Sequence, residues 1–245
     1  MIFGKFCNLK GIKILVMKYF FLVLAIPFTF YGQIVGNGDG ITTDTQIGIT
    51  IEEVPIEGTP YMNPTYKHGE TVINKKNRTK ALMRYDAFYD AVELLDENNT
   101  PRKLLRRKSI QAVFDGKTYK IFDYAEVGKI REGYFNPLNK GETKLLFKPK
   151  KIFIQAEKPD HGYDTYKPPI YKDVSSYYIV SESSPAKRIN LSKKQILKHL
   201  DNNTAQLKKY ITTEKLNLKK ESDVIQLIDY YNSILPQSLE KGAQS

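Results

Sequence analysis

Residues suited to catalysis or metal binding are scarce in this sequence of 245 residues. The single cysteine, Cys7, lies ahead of an apolar segment near the N-terminus, so thiol chemistry and disulfides are excluded from the rest of the chain. None of the three histidines, His68, His161 and His199, has a second histidine or a cysteine at zinc-site spacing. The sequence contains no Gly-x-Ser-x-Gly elbow, Walker loop or dinucleotide fingerprint. It therefore predicts no catalytic residue, no cofactor and no metal site.

Tryptophan is also absent, which disfavours a sugar-binding cleft, because such clefts commonly use large aromatic rings as stacking platforms. One cluster, Asp160-His161-Gly162-Tyr163-Asp164, offers a base beside carboxylates. The composition of an ordinary surface loop explains this cluster equally well. A hydrolase would need several titratable groups converging in one cleft, so it is the least favoured function.

Long apolar runs are missing too. Residues 19–30 form an apolar run of twelve, whereas a transmembrane helix needs roughly 20. Lys18 precedes the run and Gly32 follows it, which is the arrangement of a secretory signal peptide over residues 1–32, with Met17 as a second candidate start. Because Gln33 and not cysteine follows the expected cleavage point, we expect an exported periplasmic or extracellular protein that is not a lipoprotein.

The charge is strongly positive, at +11 for the whole chain. Four lysines and no acid lie in the leader, which leaves +7 for the remainder. This excess permits contact with an anionic component of the envelope or with another envelope protein, and no specific nucleic-acid signal accompanies it. One basic run is a candidate interaction surface: Arg102, Lys103, Arg106, Arg107 and Lys108. Alternatively, these side chains protect turns and sheet edges against edge-to-edge association.

Tyrosines are dense after residue 156, and Tyr163, Tyr166 and Tyr171 complete the candidate interaction surface. A tyrosine ring is rigid and apolar and carries a hydroxyl group, which suits a contact surface. Tyrosine is also common in ordinary strands, so this assignment has a purely structural alternative.

The pattern of the mature chain is that of a β-rich protein. Residues 33–45 are rich in Gly, Asn, Asp and Thr and predict a linker, and Asp115-Gly116 between two alternating segments predicts a tight hairpin. Residues 81–95 fit either a helix or strands, and we expect two strands that bend near residues 86–90. Other segments with strand character are 46–52, 69–74, 133–136, 143–148, 151–155 and 175–181. Residues 156–174 are Pro- and Tyr-rich and predict a connection.

Helices are predicted only after residue 190. Ser192 and Gln195 form a capping box ahead of apolar residues, and two more short helices are expected near 203–214 and 221–235. Pro236 ends the last helix, and residues 237–245 should form a loose tail.

Several short motifs resemble parts of uncharacterised secreted proteins of Bacteroidota. They are Gly58-Thr59-Pro60-Tyr61, Leu82-Met83-Arg84-Tyr85-Asp86, Leu191-Ser192-Lys193-Lys194 and Tyr230-Tyr231-Asn232. The resemblance implies an envelope or secreted location and brings no catalytic residue.

These observations predict a β-rich α+β protein. An antiparallel domain over residues 46–190, either a curved sheet or a partly open barrel or sandwich, would carry two or three short helices over residues 191–236. The favoured function is a non-enzymatic binding or scaffold protein of the cell envelope. A periplasmic carrier that holds an apolar ligand in a β cavity is the alternative.

Overall fold

The computed structural model describes residues 55–157, 161, 165–181, 184–200 and 204–235, all within the compact unit Glu52–Ser245. The predicted leader, the linker, the strand at 46–52 and the C-terminal tail lie outside these residues.

The described residues form a large antiparallel sheet followed by short helices. Ten strands pair in the order β12-β11-β8-β7-β6-β5-β1-β2-β3-β4 and curl into a half-barrel, and β9 and β10 form a separate pair. The strands are β1 Lys67–Ile73, β2 Asn77–Asp86, β3 Ala91–Leu95, β4 Pro101–Lys103, β5 Ile110–Phe114, β6 Lys117–Glu126, β7 Lys129–Pro137, β8 Lys144–Lys148, β9 Lys151–Ile154, β10 Ile170–Asp173, β11 Ser176–Val180 and β12 Lys187–Ile189. The predicted fold class is confirmed.

Both turn predictions within the sheet are confirmed. Asp115 and Gly116, with φ angles of 51° and 68°, join β5 to β6. Residues 81–95 form the end of β2 and all of β3, with a turn between Asp86 and Asp90. The Asp86 carboxylate accepts the backbone N–H groups of Phe88 at 3.0 Å and Tyr89 at 2.9 Å, which fixes the turn.

Three short strands were not predicted. β4 and β12 have only three residues each, too few for an alternating pattern to stand out. The connection predicted over residues 156–174 is wrong at its end, because β10 there pairs with β9. The prediction that His68, beside Gly69, lies in a turn is wrong, because His68 lies within β1.

Three helices follow the sheet in the described residues: α1 Lys193–His199, α2 Thr204–Thr213 and α3 Glu221–Ile234. The Ser192 side chain caps α1 by accepting the Gln195 N–H at 3.4 Å. The Asn232 side chain of α3 pairs with Thr143, the residue before β8, accepting its N–H at 2.9 Å and donating to its carbonyl at 2.8 Å. Apolar residues of all three helices share one core with Leu145, Ile179 and Ile189 of the sheet.

The β12 end of the sheet closes into a small ring. β5 pairs with β6 only as far as Lys120, which leaves one edge of β6 free beyond that residue. Ala186 occupies this edge, donating to the Asp123 carbonyl at 2.8 Å and accepting the Ala125 N–H at 3.0 Å. The ring of β6, β7, β8 and β11 is thereby closed around an aromatic cluster: Tyr124, Phe135, Leu146, Tyr178 and Ala186.

A second closure depends on Asp90, in the turn between β2 and β3. β7 and β8 pair only at Asn136–Phe147 and Pro137–Leu146. The residues of β7 that precede Asn136 therefore have no strand partner on that edge. The Asp90 carboxylate takes that place and accepts the Tyr134 N–H at 3.2 Å.

Three side chains also converge on the Asp90 carboxylate. The Tyr85 hydroxyl and the Arg106 guanidinium donate to it, and the Lys148 ammonium lies 3.3 Å from Oδ2. These residues form the Asp90 cluster.

Lys148 is the most deeply buried charge in this cluster, with 4% of its side chain exposed. Its ammonium donates to the Tyr134 carbonyl at 3.3 Å and lies 4.9 Å and 4.7 Å from the ring centres of Tyr124 and Phe135. Burial lowers the pKa of Lys148, and the neighbouring Asp90 acts in the opposite direction. A carboxylate, a carbonyl and two ring faces thus surround the ammonium.

Gly133 makes room for this ammonium. A Cβ atom on Gly133 would overlap Nζ of Lys148 and lie 3.0 Å from Oδ2 of Asp90 and 3.1 Å from Cε1 of Tyr124. We expect Gly133→Ala to lower the free energy of unfolding by about 1–3 kcal/mol, because Lys148 would have to leave its ion pair. Urea denaturation measures this change.

Lys129→Ala, an exposed substitution on the same strand, is the matched control and should change stability by less than about 0.5 kcal/mol. Equal urea midpoints for Gly133→Ala and the wild type would show that the ammonium is not confined there.

Candidate functional site

The predicted basic run lies at and beside the edge strand β4, where much of its charge is paired. Arg102 contacts Asp96 at 3.1 Å, and Arg106 contacts Asp90. Lys108 bridges two acids, Asp123 at 2.7 Å and Glu132 at 3.1 Å. Within the described residues, only Lys103 and Arg107 of this run lack a carboxylate partner. The run therefore presents less free positive charge than its composition indicates.

The two lysines that follow β8 also make local contacts. Lys150 pairs with Glu126 at 3.2 Å, and Lys151 donates to the carbonyls of Thr59 and Tyr61 at 2.7 Å each. Together with the buried Lys148, these lysines hold the described segment near residue 60 and the strand ends in place.

The predicted tyrosines have different environments. Tyr163 lies outside the described residues, and Tyr166 is 40% exposed. Tyr171 lies on β10, where its ring centre is 5.0 Å from that of Phe153 and 5.5 Å from that of Phe88.

Phe88 and Tyr89 connect part of the predicted surface. Their ring centres are 4.8 Å apart, and the Lys103 ammonium lies 4.9 Å from the centre of the Tyr89 ring. Lys103 and Tyr171, both predicted interaction residues, thus belong to one chain of contacts. We call this patch the aromatic turn surface; it comprises Phe88, Tyr89, Lys103, Phe153 and Tyr171.

Phe88 and Tyr89 were missed by sequence reasoning. They are 37% and 66% exposed in a turn between two aspartates. Two adjacent aromatic residues in such a turn were the available signal, because turns ordinarily carry small polar residues.

The aromatic turn surface stands on a rigid base. Ala87 donates to the Pro60 carbonyl at 2.9 Å, and its own carbonyl accepts the Lys151 N–H at 3.0 Å. The Asp86 carboxylate accepts the N–H groups of the next two residues, and the Asp90 carboxylate accepts the Tyr134 N–H of β7. Binding a partner here would therefore cost little ordering of the backbone.

A separate hollow of about 380 Å³ opens at the mouth of the small ring. Lys120 and Lys144 lie on its rim, and register places them on the same sheet face as Phe122 and Val180. We call it the lysine hollow. Its lining is Lys108, Lys120, Ile121, Phe122, Asp123, Glu142, Lys144, Val180, Ser181 and Ser184.

The electrostatics of the lysine hollow favour an anion. Burial lowers the pKa of Lys120, and the positive charges of Lys144 and Lys75 lower it further. In the part of the chain that the structure describes, no carboxylate lies at ion-pair distance from Lys120 or Lys144. No sequence signal identified this site, because Lys120 and Lys144 lie on β6 and β8, two strands that are not adjacent in the sheet.

The histidines remain without a catalytic assignment. His161 is exposed, and its neighbours Asp160 and Asp164 lie outside the described residues. His68 is exposed on β1, and His199 ends α1. The hydrolase alternative therefore stays a prediction.

No described helix has both the length and the apolar character needed to cross a bilayer. Comparisons of the chain with protein-family models, curated proteins and solved structures found no match in any of the three.

Proposed function

We propose that this chain is an exported, non-enzymatic protein of the cell envelope that binds an anionic lipid surface through the aromatic turn surface. The observation that carries the proposal is the contact chain from Lys103 through Tyr89 and Phe88 to Tyr171, which places exposed aromatic rings beside a cation.

The composition of this patch matches the interfacial zone of a membrane. Aromatic rings with one polar end favour the headgroup level, and lysine extends its ammonium toward phosphate while its stem stays in apolar surroundings. Each lysine or arginine near an anionic leaflet contributes about 1 kcal/mol. Lys103 supplies such a charge within the patch, whereas Arg102 and Arg106 are paired with acids.

Export rests on the leader and not on the described fold. The apolar run of residues 19–30, with Lys18 before it and Gly32 after it, supports a signal peptide. The resemblance to secreted proteins of Bacteroidota points to the same location.

Vesicle co-sedimentation tests the binding proposal. We expect the protein to bind vesicles that contain phosphatidylglycerol, to bind neutral phosphatidylcholine vesicles far less, and to dissociate as salt rises. Lys103→Gln should weaken binding about fivefold, since it removes one interfacial charge. Tyr89→Ser should weaken binding by at least as much, because it removes the most exposed ring of the patch.

Ile130→Ser is the matched control, because Ile130 is an apolar residue, 68% exposed, that lies outside the aromatic turn surface. If neutral vesicles bind equally well, or if Tyr89→Ser binds like the wild type, this lipid-binding role is wrong. Binding to a soluble acidic polysaccharide but not to vesicles would also contradict it.

Intact-mass spectrometry tests export. Expressed with its leader in a bacterial host, the protein should appear in the periplasm or medium with a mature N-terminus near Gln33, since signal peptidase removes the leader. A cytosolic protein that retains residues 19–30 would contradict this expectation.

A further inference from the structure

We propose that the lysine hollow binds a small amphiphilic anion, meaning a carboxylate or phosphate head attached to a short hydrocarbon chain. This site is distinct from the aromatic turn surface, and the proposal does not depend on lipid-surface binding.

The rim of the hollow supplies the positive charge for the head group. The Lys120 side chain lies 5.6 Å from the centre of the Phe122 ring and is half-buried, so water screens its charge less than that of an exposed lysine. Lys144 donates to the carbonyls of Gly141 and Glu142, which orient the ammonium without neutralising it.

Positive charges outnumber negative ones among the described residues that line the hollow. Lys108 and Asp123 also line the hollow, and Lys108 bridges Asp123 at 2.7 Å and Glu132, which is not a lining residue, at 3.1 Å. Glu142 is exposed, and it is the one further acid among the described lining residues. Among the described lining residues, two lysines without carboxylate partners thus stand against one acid, and a bound anion would balance this excess. Exposed hydroxyl groups of Ser181 and Ser184 lie beside them and can donate hydrogen bonds to a carboxylate or phosphate.

The floor of the hollow is apolar. Phe122 and Val180 pack on the aromatic cluster inside the ring, and the ring centres of Phe122 and Phe135 are 6.1 Å apart. A bare anion would leave this floor uncovered, and a neutral hydrocarbon would leave both lysines unpaired. A ligand that has both a charged head and an apolar chain satisfies both parts.

The size of the hollow limits the length of the ligand's hydrocarbon chain. A volume of about 380 Å³ lies at the small end of the range for ligand pockets, roughly 300–1,000 Å³. This volume suits a ligand with one short hydrocarbon chain better than a lipid with two acyl chains.

Calorimetric titration of the purified protein tests the proposal. Octanoate or octyl phosphate should bind, and the better of the two identifies the preferred head. Acetate and inorganic phosphate lack the chain, and octanol lacks the charge, so each should bind at least about tenfold more weakly than the better amphiphile. No binding by either amphiphile, or equal binding by the comparators, would overturn the proposal.

Variants locate the site. Lys120→Gln and Lys144→Gln should each weaken amphiphile binding about tenfold, equivalent to about 1.4 kcal/mol. Lys117→Gln, at an exposed position on the same strand as Lys120, is the matched control and should bind like the wild type. Val180→Thr keeps the side-chain shape, and it should weaken binding of octanoate but not of acetate. Wild-type affinity in both lysine variants would overturn the assignment.

Discussion

The ion pair between Asp90 and Lys148 is the constraint on which this end of the fold depends. Asp90 lies in the turn between β2 and β3, whereas Lys148 is the last residue of β8. In the sheet order, β7, β6, β5 and β1 lie between β8 and β2. The carboxylate pairs with the buried ammonium and also accepts the N–H of Tyr134 at the unpaired edge of β7. Without this contact, the curl of the sheet would leave a charge and a backbone donor unsatisfied in an apolar setting, which is costly.

Both proposed sites depend on how the sheet closes. Asp90 fixes one side of the turn that carries Phe88 and Tyr89, so the exposed rings stand on backbone that is hydrogen bonded on both sides. At the other closure, Ala186 bonds to β6 and shapes the ring whose mouth is the lysine hollow. Apolar burial supplies the driving force in both places, and the polar contacts determine which strand ends meet.

Local sequence patterns predicted the fold class, the Asp115-Gly116 hairpin and the bend in residues 81–95, because turn chemistry and alternation act over a few residues. The same reasoning could not locate the sites. The partners of Lys108 are Asp123 and Glu132 on β6 and β7, so the pairing that neutralises this basic residue is invisible before the strands are placed. Tyr171 was predicted as a contact residue. Its connection to Lys103 runs through the rings of Phe88 and Tyr89, and the sequence pattern identified these two residues only as part of a bend.

A double-mutant cycle on the Asp90–Lys148 pair tests the central claim most directly. We predict that Asp90→Asn costs about 2–3 kcal/mol of unfolding free energy, because it leaves the buried ammonium without a charged partner. In a Lys148→Met background the same substitution should cost at least about 1 kcal/mol less. If the two substitutions have additive effects, the pair is not coupled, and the half-barrel is held closed by other contacts.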